Sequence, residues 1–179
     1  MTKLTKIILA LVLVLGIPAM SMATCFNCNP CGANGYKGCT EATITQVGGF
    51  NQASIEQNGG SWSSNLAVID QSGIGNKASI LQAPFADHNK AIVDQEGWSN
   101  QANIKQQGLK ADYNEAYITQ NGLGNKANIE QYSSHNLASI TQNGMCNNAS
   151  INQGTMGGSH YTGTITQTGF ANTASILQK

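Results

Sequence analysis

From Ala42 onward, apolar and polar positions alternate in short runs, and the runs return in one fixed form. Six blocks of sixteen residues, at 42–57, 67–82, 91–106, 116–131, 138–153 and 163–178, follow Ala-x-Ile-x-Gln-x-Gly-x-x-Asn-x-Ala-x-Ile-x-Gln; only Val93 for Ile and Gly163 for Ala depart from it. A period of two puts alternate side chains on opposite faces of a strand. Ala42, Ile44 and Gln46 therefore share one face, and Asn51, Ala53, Ile55 and Gln57 share it again after a four-residue arc. Gly48, Gly73, Gly97, Gly122, Gly144 and Gly169 hold one position in that arc, where only glycine takes a positive φ without strain. Each block reads as strand, arc, strand.

Connectors of six to nine residues separate the blocks and vary in length, while the blocks never do. Constant blocks between variable connectors predict rungs that stack and connectors that loop out. Two buried Ile per block cannot offset the backbone entropy of sixteen residues, so no block folds alone. The predicted fold is all-β: a stacked β-solenoid with two strands per rung and six rungs, able to form amyloid.

The inward amides sharpen this picture, because a buried amide without partners costs about 1–3 kcal/mol. Rungs about 4.8 Å apart let each amide bond to its copies above and below. One expected ladder is Gln46, Gln71, Gln95, Gln120, Gln142 and Gln167; a second is Gln57, Gln82, Gln106, Gln131, Gln153 and Gln178. Asn51, Asn76, Asn100, Asn125, Asn147 and Asn172 make a third. Outward positions, such as Thr43, Thr45, Gln52, Ser54 and Glu56, are polar and suit water.

Composition agrees with a stack joined by amides. Charged residues are 10% of the 179, while 20 Asn and 15 Gln make up about a fifth. The nine basic residues are all Lys, net charge is zero, and no basic run occurs, which argues against nucleic acid and anionic membrane as partners. At the start, Lys3 and Lys6 precede an apolar run from Ile7 to Ile17, then Pro18 and Ser21-Met22-Ala23. This is the pattern of a signal peptide, residues 1–23, cleaved after Ala23. The last ladder residue, Gln178, lies one residue from the end of the sequence, so the sixth rung is expected to be uncapped and to accept another copy.

The run Ala116-Tyr-Ile-Thr-Gln-Asn-Gly-Leu-Gly-Asn-Lys-Ala-Asn-Ile-Glu-Gln131 resembles the repeat of curlins, the subunits of the bacterial functional amyloid curli, and the resemblance extends over 42–178. It implies a secreted subunit of extracellular fibres used in biofilm matrix and adhesion. It also implies a companion curlin subunit, periplasmic chaperones, an outer-membrane secretion pore, and aggregation driven by the Gln and Asn positions above. Most blocks open with Ala rather than the Ser common in major curlins, which is closer to minor subunits.

The segment 24–41 departs from that family in carrying Cys25, Cys28, Cys31 and Cys39. In a secreted chain four Cys can form two disulfides in three ways; zinc, an iron–sulfur cluster, free thiols and cross-links between chains are the alternatives. Cys146 stands apart, in an arc. No metal, cofactor or catalytic group is expected: His88, His135 and His160 lie in connectors of different length and sequence. The alternative is a monomeric solenoid binding protein such as an ice-binding protein, which needs an outward Thr array; here the array reads Thr45, Asp70, Asp94, Thr119, Thr141, Thr166.

Overall fold

The computed structural model describes residues 7–10, 22–23, 40–58, 63–83, 87–108, 111–154 and 160–179. The strands are β1 (Ile7–Ala10), β2 (Met22–Ala23), β3 (Glu41–Gly49), β4 (Gln52–Gln57), β5 (Leu66–Ile74), β6 (Lys77–Gln82) and β7 (Lys90–Trp98). They continue with β8 (Gln101–Gln106), β9 (Glu115–Leu123), β10 (Lys126–Gln131), β11 (Leu137–Met145), β12 (Asn148–Gln153), β13 (Thr162–Phe170) and β14 (Thr173–Gln178). Among the described residues every regular element is a strand.

From β3 onward, consecutive strands pair off into six rungs. The longer strands form one parallel sheet, β13-β11-β9-β7-β5-β3, and the shorter ones the other, β14-β12-β10-β8-β6-β4. Parallel strands need a crossover, and here the opposite sheet is that crossover. Register is kept without slippage: Ile44 pairs with Ile69, Ile69 with Val93, Val93 with Ile118, Ile118 with Ile140, and Ile140 with Ile165. A slip of one residue would turn every Ile outward. At the first rung, β2 runs antiparallel along β3 and β1 antiparallel along β4, both from within residues 1–23.

The core is one apolar column between the sheets. Ala42, Ala53, Ile55, Ala67, Ile69, Ile80, Val93, Ile104, Ile118, Ile129, Ile140, Ile151 and Ile165 are all buried in it. Small Ala opposite large Ile fills a narrow space evenly. The sixth rung is the most open: along β14 residues alternate between exposed and partly buried, and Leu177 is exposed.

The arcs are tighter than the four residues expected. The long strands run through the glycine, since Gly48 stays paired with Gly73 and Gly49 with Ile74. The six arc glycines have φ of 104–125°, and a Cβ on Gly73 would sit 2.0 Å from the Gly97 carbonyl oxygen. Both backbone angle and rung spacing thus demand glycine there. The turn itself falls on the next pair, such as Phe50 (φ 58°) and Asn51.

The connectors do not wholly loop out. His88, Tyr113, His135 and His160 all have φ of 57–67°, repeating on the opposite corner the left-handed turn of Phe50, Ser99, Cys146 and Ala171. The last residues of these four connectors therefore belong to the rung.

Candidate functional site

The two Gln columns close the core at either side. In the first, Gln46 Nε2 donates to Gln71 Oε1 at 2.7 Å, and the same bond repeats from Gln71 to Gln95, Gln95 to Gln120, Gln120 to Gln142 and Gln142 to Gln167 at 2.7–2.8 Å. In the second, Gln57 donates to Gln82, Gln82 to Gln106, Gln106 to Gln131, Gln131 to Gln153 and Gln153 to Gln178 at 2.7–3.0 Å. For every ladder amide but Gln46 the other hydrogen crosses to the facing sheet: Gln57 Nε2 donates to the Glu41 carbonyl at 3.0 Å and Gln71 Nε2 to the Gln52 carbonyl at 3.1 Å. That second bond fixes the sense of the ladder. A flipped amide would set its oxygen against a carbonyl oxygen, so the nitrogen always donates toward the higher-numbered rung.

The Asn column is wired differently, through the backbone. Asn51 Oδ1 accepts the backbone N–H of Asn76 at 2.9 Å, while Asn51 Nδ2 donates to the carbonyls of Val47 and Gly73, each at 3.0 Å. Asn76, Asn100, Asn125 and Asn147 likewise donate to Gly97, Gly122, Gly144 and Gly169. One side chain thereby holds its own arc and the arc of the next rung. Asn at this place satisfies the polar groups that a left-handed turn exposes.

A fourth column escaped the sequence reading. Asn65 Oδ1 accepts from Asn89 N, Asn89 from Asn114 N, Asn114 from Asn136 N, and Asn136 from Tyr161 N, at 2.8–3.0 Å. The four Asn are buried. The signal was present: Asn89, Asn114 and Asn136 each stand two residues before a block's Ala, as Asn51 stands two before Ala53. Beside this column the rings of His88, Tyr113, His135 and His160 stack at centroid distances of 4.7, 5.1 and 4.9 Å. The three His thus share one column although their connectors differ in length and sequence.

On the outer face, Thr45, Asp70, Asp94, Thr119, Thr141 and Thr166 line up across the rungs. Partial burial, followed by the charges of Asp70 and Glu96, raises the Asp94 pKa above the ordinary value. The Tyr132 hydroxyl, donating to Glu130 at 2.7 Å, is pushed up to about 12, chiefly by that bond. Among the described residues no three His, Cys, Asp or Glu are grouped to hold a metal. Cys146 is a free, exposed thiol on its arc; Cys25, Cys28, Cys31 and Cys39 lie outside the described residues.

The columns end in complementary atoms. At the sixth rung, Gln167 and Gln178 each donate once, to the carbonyls of Asn148 and Thr162, which leaves one amide hydrogen apiece. At the first rung, Gln57 Oε1 is buried and has no hydrogen-bond partner. One end offers donors and the other an acceptor.

A family model described as the curlin associated repeat matches residues 63–97, 97–132 and 125–154, together just over half of the chain. Comparison with curated proteins gives no match. The matched residues carry rungs two to five, with their Gln columns, arc glycines and Asn columns, and on that ground the chain belongs to the curlin family of structural amyloid subunits.

Proposed function

We propose that this protein is a secreted structural subunit that stacks end to end with copies of itself into extracellular curli-type amyloid fibres, serving biofilm matrix and adhesion on the bacterial surface. The observation that carries this is the match, within the second column, between the spare Gln178 hydrogen on one end rung and the buried, unpartnered Gln57 Oε1 on the other. Stacked in parallel and in register, the sixth rung of one copy continues each column into the first rung of the next. An unmade buried bond is costly, so each junction gains where an isolated end loses.

Strands β1 and β2 occupy the first-rung edge in the full chain, and both lie in the expected signal peptide. Its removal opens that edge for the incoming rung. A companion subunit, periplasmic chaperones and an outer-membrane pore are the partners the family reading brings. The test is to incubate the purified chain from residue 24 and seek fibres with a cross-β reflection near about 4.8 Å. A dispersed monomer after weeks at micromolar concentration overturns the reading.

A further inference from the structure

From the second rung on, the position after the arc glycine varies in identity but not in character. Ile74, Trp98, Leu123, Met145 and Phe170 pair in register down the long sheet, one per rung. They are exposed by 48, 60, 40, 46 and 68%, and so contribute half of the exposed large hydrophobics among the described residues. Nothing in the rung requires apolar side chains here, since Gly49 holds the same position in the first rung. A lone exposed apolar residue is ordinary, whereas a contiguous row marks a contact surface.

We propose that this row is the face through which two parallel stacks of the protein lie against each other, its occupant being the same row on a second copy. The inference rests on the fibre reading above. Next to the row, the left-handed position reads Gly75, Ser99, Gly124, Cys146 and Ala171, so a ridge of large side chains borders a recess of small ones. A copy turned by a two-fold axis sets ridge into recess and recess onto ridge, with knobs at the same rung spacing of about 4.8 Å.

Charge does not oppose the contact: the outward residues before the glycines are Val47, Ser72, Glu96, Asn121, Asn143 and Thr168, of which one is charged. The row also runs along the stacking axis, so end-to-end assembly repeats it in segments of five rungs, each separated by a first rung in which Gly49 and the exposed Phe50 exchange the large and small positions.

Area decides when pairing occurs. Five half-exposed side chains offer roughly 500 Å² per copy, or about 1,000 Å² for a facing pair, below the roughly 1,200–2,000 Å² of stable complexes. Two free subunits therefore stay apart. Stacking joins many such contacts into one rigid line, and paired fibres then hold where paired monomers do not.

The test uses the chain from residue 24 carrying Trp98→Ser, Leu123→Ser and Phe170→Ser, beside the unmodified chain and a Tyr113→Ser control on the opposite corner. Fibres are followed by amyloid-dye fluorescence, and their width by electron microscopy. We expect the triple variant to elongate within about twofold of the unmodified rate, because the row lies off the stacking faces, and to give single fibres where the other two give bundles. Bundles of unchanged width in the triple variant overturn the proposal. Loss of fibres in the triple variant alone also overturns it, since the row would then serve stacking. An unmodified chain that forms no fibres overturns the underlying fibre reading and the proposal with it. Leu123→Lys alone, a single exposed change, is expected to thin the bundles as well; unthinned bundles count against the lateral contact.

Discussion

The side-chain amide of Gln153 donates to that of Gln178 at 2.9 Å, and its remaining hydrogen goes to the Leu137 carbonyl at 2.8 Å. Both hydrogens are thus used, the oxygen is free to accept from below, and the ladder has a direction. Ten such bonds point the same way through the stack.

Changing Gln178 to Leu keeps bulk but removes the donor from the end of its column. Leaving the Gln57 oxygen of the next copy unpaired costs about 1–3 kcal/mol, and elongation should slow by roughly one order of magnitude or more; within the subunit the change also removes the acceptor of Gln153 and the donor to the Thr162 carbonyl, so the soluble chain loses stability at its last rung as well. Seeded growth curves of Gln178→Leu against Gln178→Asn and the unmodified chain give the comparison. If Gln178→Leu combined with Gln46→Leu grows at the unmodified rate, the amides do not join subunits.

Glycine substitutions should separate two kinds of arc position. In Gly97→Ala the new Cβ meets the Gly122 carbonyl oxygen at 2.1 Å and φ is 106°, so the two rungs must part. In Gly75→Ala the nearest atom is Ser99 Oγ at 3.6 Å and φ is 68°, leaving only a left-handed penalty of about 1–2 kcal/mol. The critical concentration for fibre formation should rise far more for Gly97→Ala; equal increases would contradict the close approach of the arcs.

Acid should favour the stack through Asp94. Its folded pKa is raised by partial burial, then by Asp70 and Glu96, so the folded chain takes up a proton more readily than the unfolded one. Stability therefore grows as pH falls from neutral through the folded pKa, and the penalty is complete above it. Asp94→Asn should shorten the assembly lag at pH 7 and flatten its dependence on pH between 7 and 4. A variant with the unmodified pH profile would remove Asp94 from the account.

Like charges in one column also predict which rungs assemble most readily. Residues 138–153 and 163–178 contain no charged side chain, whereas 91–106 carries Asp94, Glu96 and Lys105. In-register copies of the charged rung repel by about 1 kcal/mol per pair even in bulk water. A peptide of 163–178 should fibrillise with a shorter lag than one of 91–106 at low salt, and Thr166→Asp should lengthen the lag of the whole subunit.

The ring column gives a test at the other corner. Tyr113→Ala removes the contacts to His88 and His135, at about 0.5–1.5 kcal/mol each, while Tyr113→Phe retains them. Guanidinium dissolution of fibres should shift for Ala and stay for Phe.

The inward Ile and Ala, the rung count and the arc glycines were legible because a buried strand repeats every two residues and a close arc admits one residue type. The fourth column was not. Alignment on the block's Ala cut the repeat two residues late, and connectors of six to nine residues hid that Asn65, Asn89, Asn114 and Asn136 stay in step. The exposed row was hidden for another reason: Ile74, Trp98, Leu123, Met145 and Phe170 share polarity, not identity, and a pattern written in letters passes over them. The arc came out shorter than expected because Gly48 keeps its ladder pairing at positive φ.

Connector length has a consequence for how such a chain changes over time. Equivalent residues are 25 apart from Ile44 to Ile69 but 22 apart from Ile118 to Ile140, yet both pairs sit in perfect register. Position along the stack is therefore counted in rungs and not in residues. Because each rung presents the same upper and lower faces, a copy with one rung duplicated or deleted keeps the same two ends and still joins its unaltered siblings. Gene duplication within the repeats then changes the length of a subunit without changing its compatibility, so fibres of mixed-length subunits remain continuous.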